Sequence, residues 1–152
     1  LDALVAGQDA DAALAERAAT LPPPPLAPHR ALIDHAFSAP TVEAIIARLD
    51  EVAGTDPFAA RLLAAMAQKS PTSMKLALAQ MKAGGALSFA EAMRTEFRIV
   101  SRIATGVDFR EGVRAVIIDK DNKPAWQPAR LADVGSAMVA AYFAPLPDDL
   151  VI

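Results

Sequence analysis

Between residues 41 and 117 apolar positions recur every three or four residues, broken at intervals by capping and stop residues. Thr41–Val52 sets Val42, Ile45, Ile46 and Leu49 on one face at helical spacing, and Gly54 ends it. Asp56-Pro57 opens a second helix: a capping Asp precedes a proline at the first position, where its missing amide is not needed. The apolar face there is Phe58, Leu62, Leu63 and Met66. Ser70-Pro71 repeats the start signal for a helix carrying Met74, Leu78 and Met81 and stopping at Gly84-Gly85. Ser88-Phe89-Ala90-Glu91 is a capping box, with Met93, Phe97 and Val100 as the stripe behind it and Gly106 as its end. Asp108 with Glu111, the latter read at the N3 place, starts a further helix through Val113, Val116 and Ile117. Asp119–Pro128 reads as a polar loop, and Asp133 to about Phe143 as a last helix before an irregular tail.

Upstream, Asp9–Ala19 and His29–Phe37 read as short helices. The stretch between them, Leu21–Pro28 (LPPPPLAP), reads as an extended polyproline II connector, because successive prolines lack amide donors and clash with a preceding helical turn. The expected organisation is a preceding-domain end or connecting helix over 1–20, a Pro-rich connector over 21–28 and a helical domain over 29–152. No strand alternation competes with the helical frame, so the fold class is mainly α.

Composition narrows the chemistry. Hydrophobic residues make up 53% of the 152, much of it Ala, and aromatics only 5%, which favours close-packed helices over sheets. With no Cys, disulfides, thiolate metal sites and Cys nucleophiles are all excluded. Net charge is −3, divided between −4 in residues 1–70 (five basic, nine acidic) and +1 in 71–152 (ten basic, nine acidic). The second half is the better place for a phosphate-bearing ligand, but no basic patch dense enough for nucleic acid exists. No apolar run reaches a membrane-spanning length, and the first residues lack the basic region of a signal peptide. The chain does not begin with Met and is expected to start inside a longer protein.

Candidate reactive groups are sparse. His29 and His35, six apart, fall on different helical faces with no acidic cluster to complete a metal site, so no metal is expected. Ser70 and Ser73 lack a nucleophile elbow, and capping accounts for Ser70. Among the carboxylates Glu91, Glu96, Asp108 and Glu111, helix starts account for Glu91 and Glu111, and no pair is bound to converge. Arg94, Arg98 and Arg102 line one stripe at intervals of four: a solvated face with local ion pairs, or a contact to phosphates or to another polypeptide. Arg110 and Arg114 repeat the spacing. The loop from Asp119 to Trp126 brings Lys120, Lys123 and the only Trp within seven residues. A lysine can meet phosphate as a point charge, and an indole can stack on a base or fill a pocket. Packing is the plainer reading of Trp126, bracketed by Pro124 and Pro128.

The segment Val107–Pro128, VDFREGVRAVIIDKDNKPAWQP, resembles the C-terminal signature of the 3-hydroxyisobutyryl-CoA hydrolase branch of the crotonase (enoyl-CoA hydratase/isomerase) superfamily. Ser70-Pro-Thr-Ser-Met-Lys75 is similar to that branch's SPTSLK. Leu87–Glu91 with Glu96-Phe97-Arg98 is similar to one of its helices, and Pro25 to Phe37, with His29, Ile33 and Phe37, resembles its Pro-rich entry. The resemblance implies the helical C-terminal half of an α/β crotonase (ClpP-like spiral) fold. Its N-terminal half, a spiral of ββα units, supplies the oxyanion hole and the catalytic Glu and Asp, so no catalytic residue is expected in this chain. The implied activity is CoA-thioester hydrolysis in valine breakdown by the whole protein, with this chain alone inactive. Enoyl-CoA hydration or isomerisation, or a non-catalytic crotonase-like helical interaction module, are the alternatives. The implied partners are an acyl-CoA substrate, without further cofactor, the missing N-terminal half and copies of the same protein, with neither nucleic acid nor membrane. Localisation would be cytoplasmic in a bacterium and the mitochondrial matrix in a eukaryote. By the same resemblance Lys120, Lys123 and Trp126 correspond to positions that approach CoA.

Overall fold

A computed structural model describes residues 2–18 and 22–152. They fall into two compact units, within Leu1–Ala31 and Leu32–Ile152. The first holds α1 (Asp2–Val5) and α2 (Ala10–Ala15), which Asp9 caps by accepting the Ala12 amide at 3.1 Å. The helix expected to reach Ala19 ends at Ala15; Ala19, Thr20 and Leu21 lie outside the described residues. The proline stretch departs from a continuous extended connector. Leu26 and Ala27 interrupt the prolines and restore amide donors. The Ala27 N–H reaches the Pro24 carbonyl at 2.9 Å, the chain turns at Pro25–Leu26, and a 3-10 turn follows at Ala27–His29.

From there the expected helices form in order: α3 (Arg30–Phe37), α4 (Val42–Ala53), α5 (Pro57–Met66), α6 (Pro71–Gly84), α7 (Phe89–Ile103), α8 (Val107–Val113) and α9 (Ser136–Phe143). Several starts are made by side-chain caps. Thr41, Asp56 and Ser70 each accept amides of the first turn. Ser88 and Glu91 close both halves of a capping box. In the second unit the core is small: Ala36, Ala39, Ile45, Leu49 and Ala59, with Leu62, Leu63 and Leu78 packed around them. Alanines at the contacts let α3, α4 and α5 approach closely. Among the described residues no strand occurs.

Three expected faces turn out otherwise. On α6 the buried positions are Pro71, Thr72 and Leu76; of the expected face Leu78 packs against the core while Met81 is 79% exposed. On α7 the buried residue is Ile99, whereas Met93 and Val100 are open to solvent. The reason lies in the arginine stripe, which turns toward the C-terminal tail: Arg98 clasps the Asp149 carboxylate, and Arg102 donates to the carbonyls of Tyr142 (3.1 Å) and Pro145 (3.2 Å). Arg98 thus forms a local ion pair, and Arg102 spends its donors on the chain's own tail. Finally, α8 stops at Val113 and passes into a π turn, Arg114–Ile118, leaving Val116 and Ile117 outside the core. A 3-10 turn, Leu131–Asp133, replaces the first turn expected of the last helix.

Candidate functional site

The loop from Asp119 to Gln127 is held by carboxylates and one guanidinium of the preceding helix. Asp108 stands in the first turn of α8, where the helix N-terminus favours a negative charge. One of its oxygens accepts the Ser70 hydroxyl and the other the Gln127 amide at 2.8 Å. Glu111 sits one turn later, past the N3 place, because α8 begins at Val107 with Gly106 as its cap. Instead of capping, it takes the Arg114 guanidinium in a two-pronged pair (2.9 and 2.8 Å) and accepts the Ala125 amide at 2.7 Å. Arg114 in turn binds Asp119 (2.6 Å), Asp121 (2.8 Å) and the Lys123 carbonyl (3.2 Å).

The ionisation of these groups follows from the contacts. The Arg114 guanidinium, and then the Ala125 amide, hold the Glu111 carboxyl down at about 2. Arg114, followed by the Lys123 amide, lowers Asp121, and Glu111 is the first cause of the raised Arg114. All are solvent-accessible, so the network fixes the path of the loop more than it adds stability. The loop turns through left-handed backbone at Lys120 (φ 55°) and Asn122 (φ 53°). Asn tolerates that conformation, and the Asn122 amide closes the turn on the Ala115 carbonyl at 3.0 Å.

Trp126 ends the loop. Its indole N–H donates to the Gln68 carbonyl at 3.0 Å, and its ring lies 3.4 Å from where a Cβ at Gly112 would stand. The side chain is thus a packing anchor seated on a glycine. Beside it opens a cavity of about 670 Å³ between α6, α8 and the π turn, lined by Thr72, Asp108, Val116, Ile117 and Trp126 among others. Lys120 and Lys123 are exposed and, unlike Trp126, do not line it.

Three further candidates are accounted for locally. Ser70 caps α6, Glu91 closes its box, and Glu96 accepts from Gln80 at 2.7 Å. The lysine of the SPTSMK stretch, Lys75, is pinned between Glu43 (2.7 Å) and the Val134 carbonyl (3.0 Å), a tie absent from the sequence reading. It borders a second cavity of about 570 Å³ between α4, α6 and α9. Among the described residues no group of three or more His, Cys, Asp or Glu side chains could hold a metal ion, and no helix is long and apolar enough to cross a membrane.

Comparison with known proteins places this geometry. A family model described as enoyl-CoA hydratase/isomerase matches residues 2–143. The mitochondrial 3-hydroxyisobutyryl-CoA hydrolase of Gallus gallus is 41% identical over 118 residues, which are 78% of this chain and 30% of that protein. A crystal structure of a carnitinyl-CoA dehydratase from Mycobacterium thermoresistibile superposes with a TM-score of 0.84 at 35% identity, covering 99% of this chain and 42% of that one. An enoyl-CoA hydratase from Rhodobacter sphaeroides 2.4.1 superposes at 0.78 and 34%, covering 88% and 40%. The chain spans about 30% of the length of the curated relatives it matches, and its described residues, mainly helical and without strands, fit the helical C-terminal segment of the crotonase fold.

Proposed function

Because this chain belongs to the enoyl-CoA hydratase/isomerase family, we propose that it is the helical C-terminal portion of an acyl-CoA thioester hydrolase acting on 3-hydroxyisobutyryl-CoA. The observation that carries this reading is the 41% identity over 118 residues to a hydrolase of that specificity, against 35% and 34% to the solved dehydratase and hydratase. In such a reaction donors aimed at the thioester oxygen stabilise the developing oxyanion while a carboxylate assists the attack of water. These groups are expected outside the helical portion. Asp108 and Glu111, the carboxylates of the signature segment, are engaged by amides, a hydroxyl and Arg114. Its part is to carry and fix the loop on which Lys120 and Lys123 stand exposed, free to meet CoA phosphates, with Trp126 anchoring that loop. The cellular place follows the host: the mitochondrial matrix in a eukaryote, the cytoplasm in a bacterium.

The test is substrate profiling of a family-length protein containing this segment. Release of free thiol from 3-hydroxyisobutyryl-CoA, with crotonyl-CoA left unhydrated, is the expected result, and the 152-residue chain alone is expected to be inactive. Thiol release by the isolated chain would overturn the assignment. The names of the two solved relatives favour a second reading, hydration or dehydration of an acyl-CoA; turnover of crotonyl-CoA without thiol release would select it.

A further inference from the structure

The second cavity, about 570 Å³ between α4, α6 and α9, owes its shape to small side chains. Ala79 and Ala83, one turn apart on α6, and Ala140 on α9 all line it. Val42, Leu78, Val139 and Phe143 supply longer apolar walls. Where long side chains space helices apart, alanines between them leave a trough. Its charge is uneven. Lys75 and Lys82 both border it, seven residues and so about 10 Å apart along α6. Lys75 is neutralised, paired with Glu43 at 2.7 Å and donating to the Val134 carbonyl at 3.0 Å. Lys82 donates to the Pro40 carbonyl and, among the described residues, pairs with no carboxylate.

The trough therefore offers apolar carbon along its length and one uncompensated cation near one end. Glu43 disfavours any second negative charge on an occupant, because it would stand within reach of that carboxylate. A concave site of this size, mostly apolar with few placed charges, is the usual form of a small-molecule site. We propose that the trough binds an aliphatic monocarboxylate of medium chain length, its carboxylate against the Lys82 ammonium and its tail among Ala79, Val139 and Phe143. The site is independent of the acyl-CoA reaction proposed above, since none of its residues belongs to the Val107–Pro128 segment. Three helices contribute to it, so an occupant ties α9 to α4 and α6 and raises the melting temperature as its concentration rises.

The experiment titrates octanoate, 1-octanol, octylamine and octyl phosphate into the chain with its valine methyls labelled, at neutral pH and low salt. Octanoate is expected to move the Val42 and Val139 resonances and to leave Val107 and Val116, which line the other cavity, in place. It should bind more tightly than octanol, and octanol more tightly than octylamine. Octyl phosphate should bind less well than octanoate, because it carries the second charge that Glu43 opposes. Lys82→Gln is expected to weaken octanoate about fivefold, the scale of an exposed ion pair, and to leave octanol unchanged. Glu43→Gln should tighten octanoate, because it frees the Lys75 ammonium. Ala83→Leu fills the trough and should abolish binding of octanoate and octanol alike. The melting temperature of that variant without ligand should stay close to wild type, since Ala83 is exposed and Leu follows Ala closely in helix propensity. Equal binding of octanoate and octanol, or indifference of octanoate to Lys82→Gln, would overturn the proposal. So would shifts at Val107 and Val116 in place of Val42 and Val139, or tighter binding of octyl phosphate. Repeating the octanoate titration on a family-length protein containing this segment should move the same two valines. Their silence there would mean that the rest of the protein fills the trough, and the site would fall whatever acyl-CoA that protein turns over.

Discussion

The hydroxyl of Ser70 donates to the carboxylate of Asp108, joining segments 38 residues apart. The same hydroxyl accepts the Ser73 amide and so starts α6, while the other oxygen of the carboxylate holds Gln127 at the end of the loop. One contact therefore registers three elements: the start of α6, the first turn of α8 and the base of the Trp126 anchor.

Ser70→Ala is expected to remove the cap and leave the Asp108 oxygen short of a donor at a 5% exposed position. A lost serine cap alone costs about 1–2 kcal/mol, and urea unfolding followed by circular dichroism should show at least that. A midpoint unchanged from wild type would mean that α6 starts without this hydroxyl.

The helix starts were legible because capping is local chemistry. Asp56, Ser70 and Ser88 each announce a start by a side chain and the residues just after it, and each performs as read; Thr41, read as the first helical residue, turns out to be the cap. The faces were less so, because they depend on what lies opposite. Met93 and Val100 read as an inner stripe, but Arg98 and Arg102 find an acceptor-rich tail some 40 to 50 residues onward, and α7 turns that side inward. Glu111 read as a cap because Asp108 looked like the start; Gly106, whose added Cβ would stand 3.1 Å from the Ile103 carbonyl oxygen, sets the start earlier.

Acid should loosen the loop. Glu111 titrates at about 2 in the fold against 4.5 as the ordinary value. A depressed carboxyl contributes stability that is fully present above the ordinary value and is lost as pH falls from about 4.5 through about 2. Asp121 and Asp149, both lowered by arginines, act in the same direction. Glu111→Gln should therefore lower the melting temperature at pH 7 by a few degrees, about 2–4 °C for a surface network of this size. The difference from wild type should shrink below pH 4.5 and be smallest near pH 2. Parallel melting curves at every pH would show that Glu111 is not what holds the loop.

Leu49 is fully buried among Ala36, Ala39, Ile45 and Ala59. Three of the four buried residues clustered with it are alanines, too short to fill a void, so Leu49→Ala is expected to cost about 3 kcal/mol. In a core this small the variant should show a broadened urea transition and weakened near-ultraviolet dichroism. Retention of the wild-type midpoint would mean the alanine-lined contact between α4 and α5 collapses to fill the space.

Gly112 tests the seat of Trp126 by size alone. A Cβ there would meet the indole at 3.4 and 3.7 Å, ordinary contact, so Gly112→Ala should fit and gain helix propensity, raising stability by about 0.5–1 kcal/mol. A branched side chain has no such room: the methyl groups of Gly112→Val would enter the ring. Trp126 should then leave its place, giving up the hydrogen bond to the Gln68 carbonyl. Since Trp126 is the sole tryptophan, intrinsic fluorescence reads the event directly, and Gly112→Val should shift emission to the red with a fall in melting temperature, while Gly112→Ala leaves the emission in place. Equal emission from all three proteins would show that the indole is not seated on Gly112. The Ala–Val contrast matters because both remove the glycine's backbone freedom; only displacement of the ring separates them.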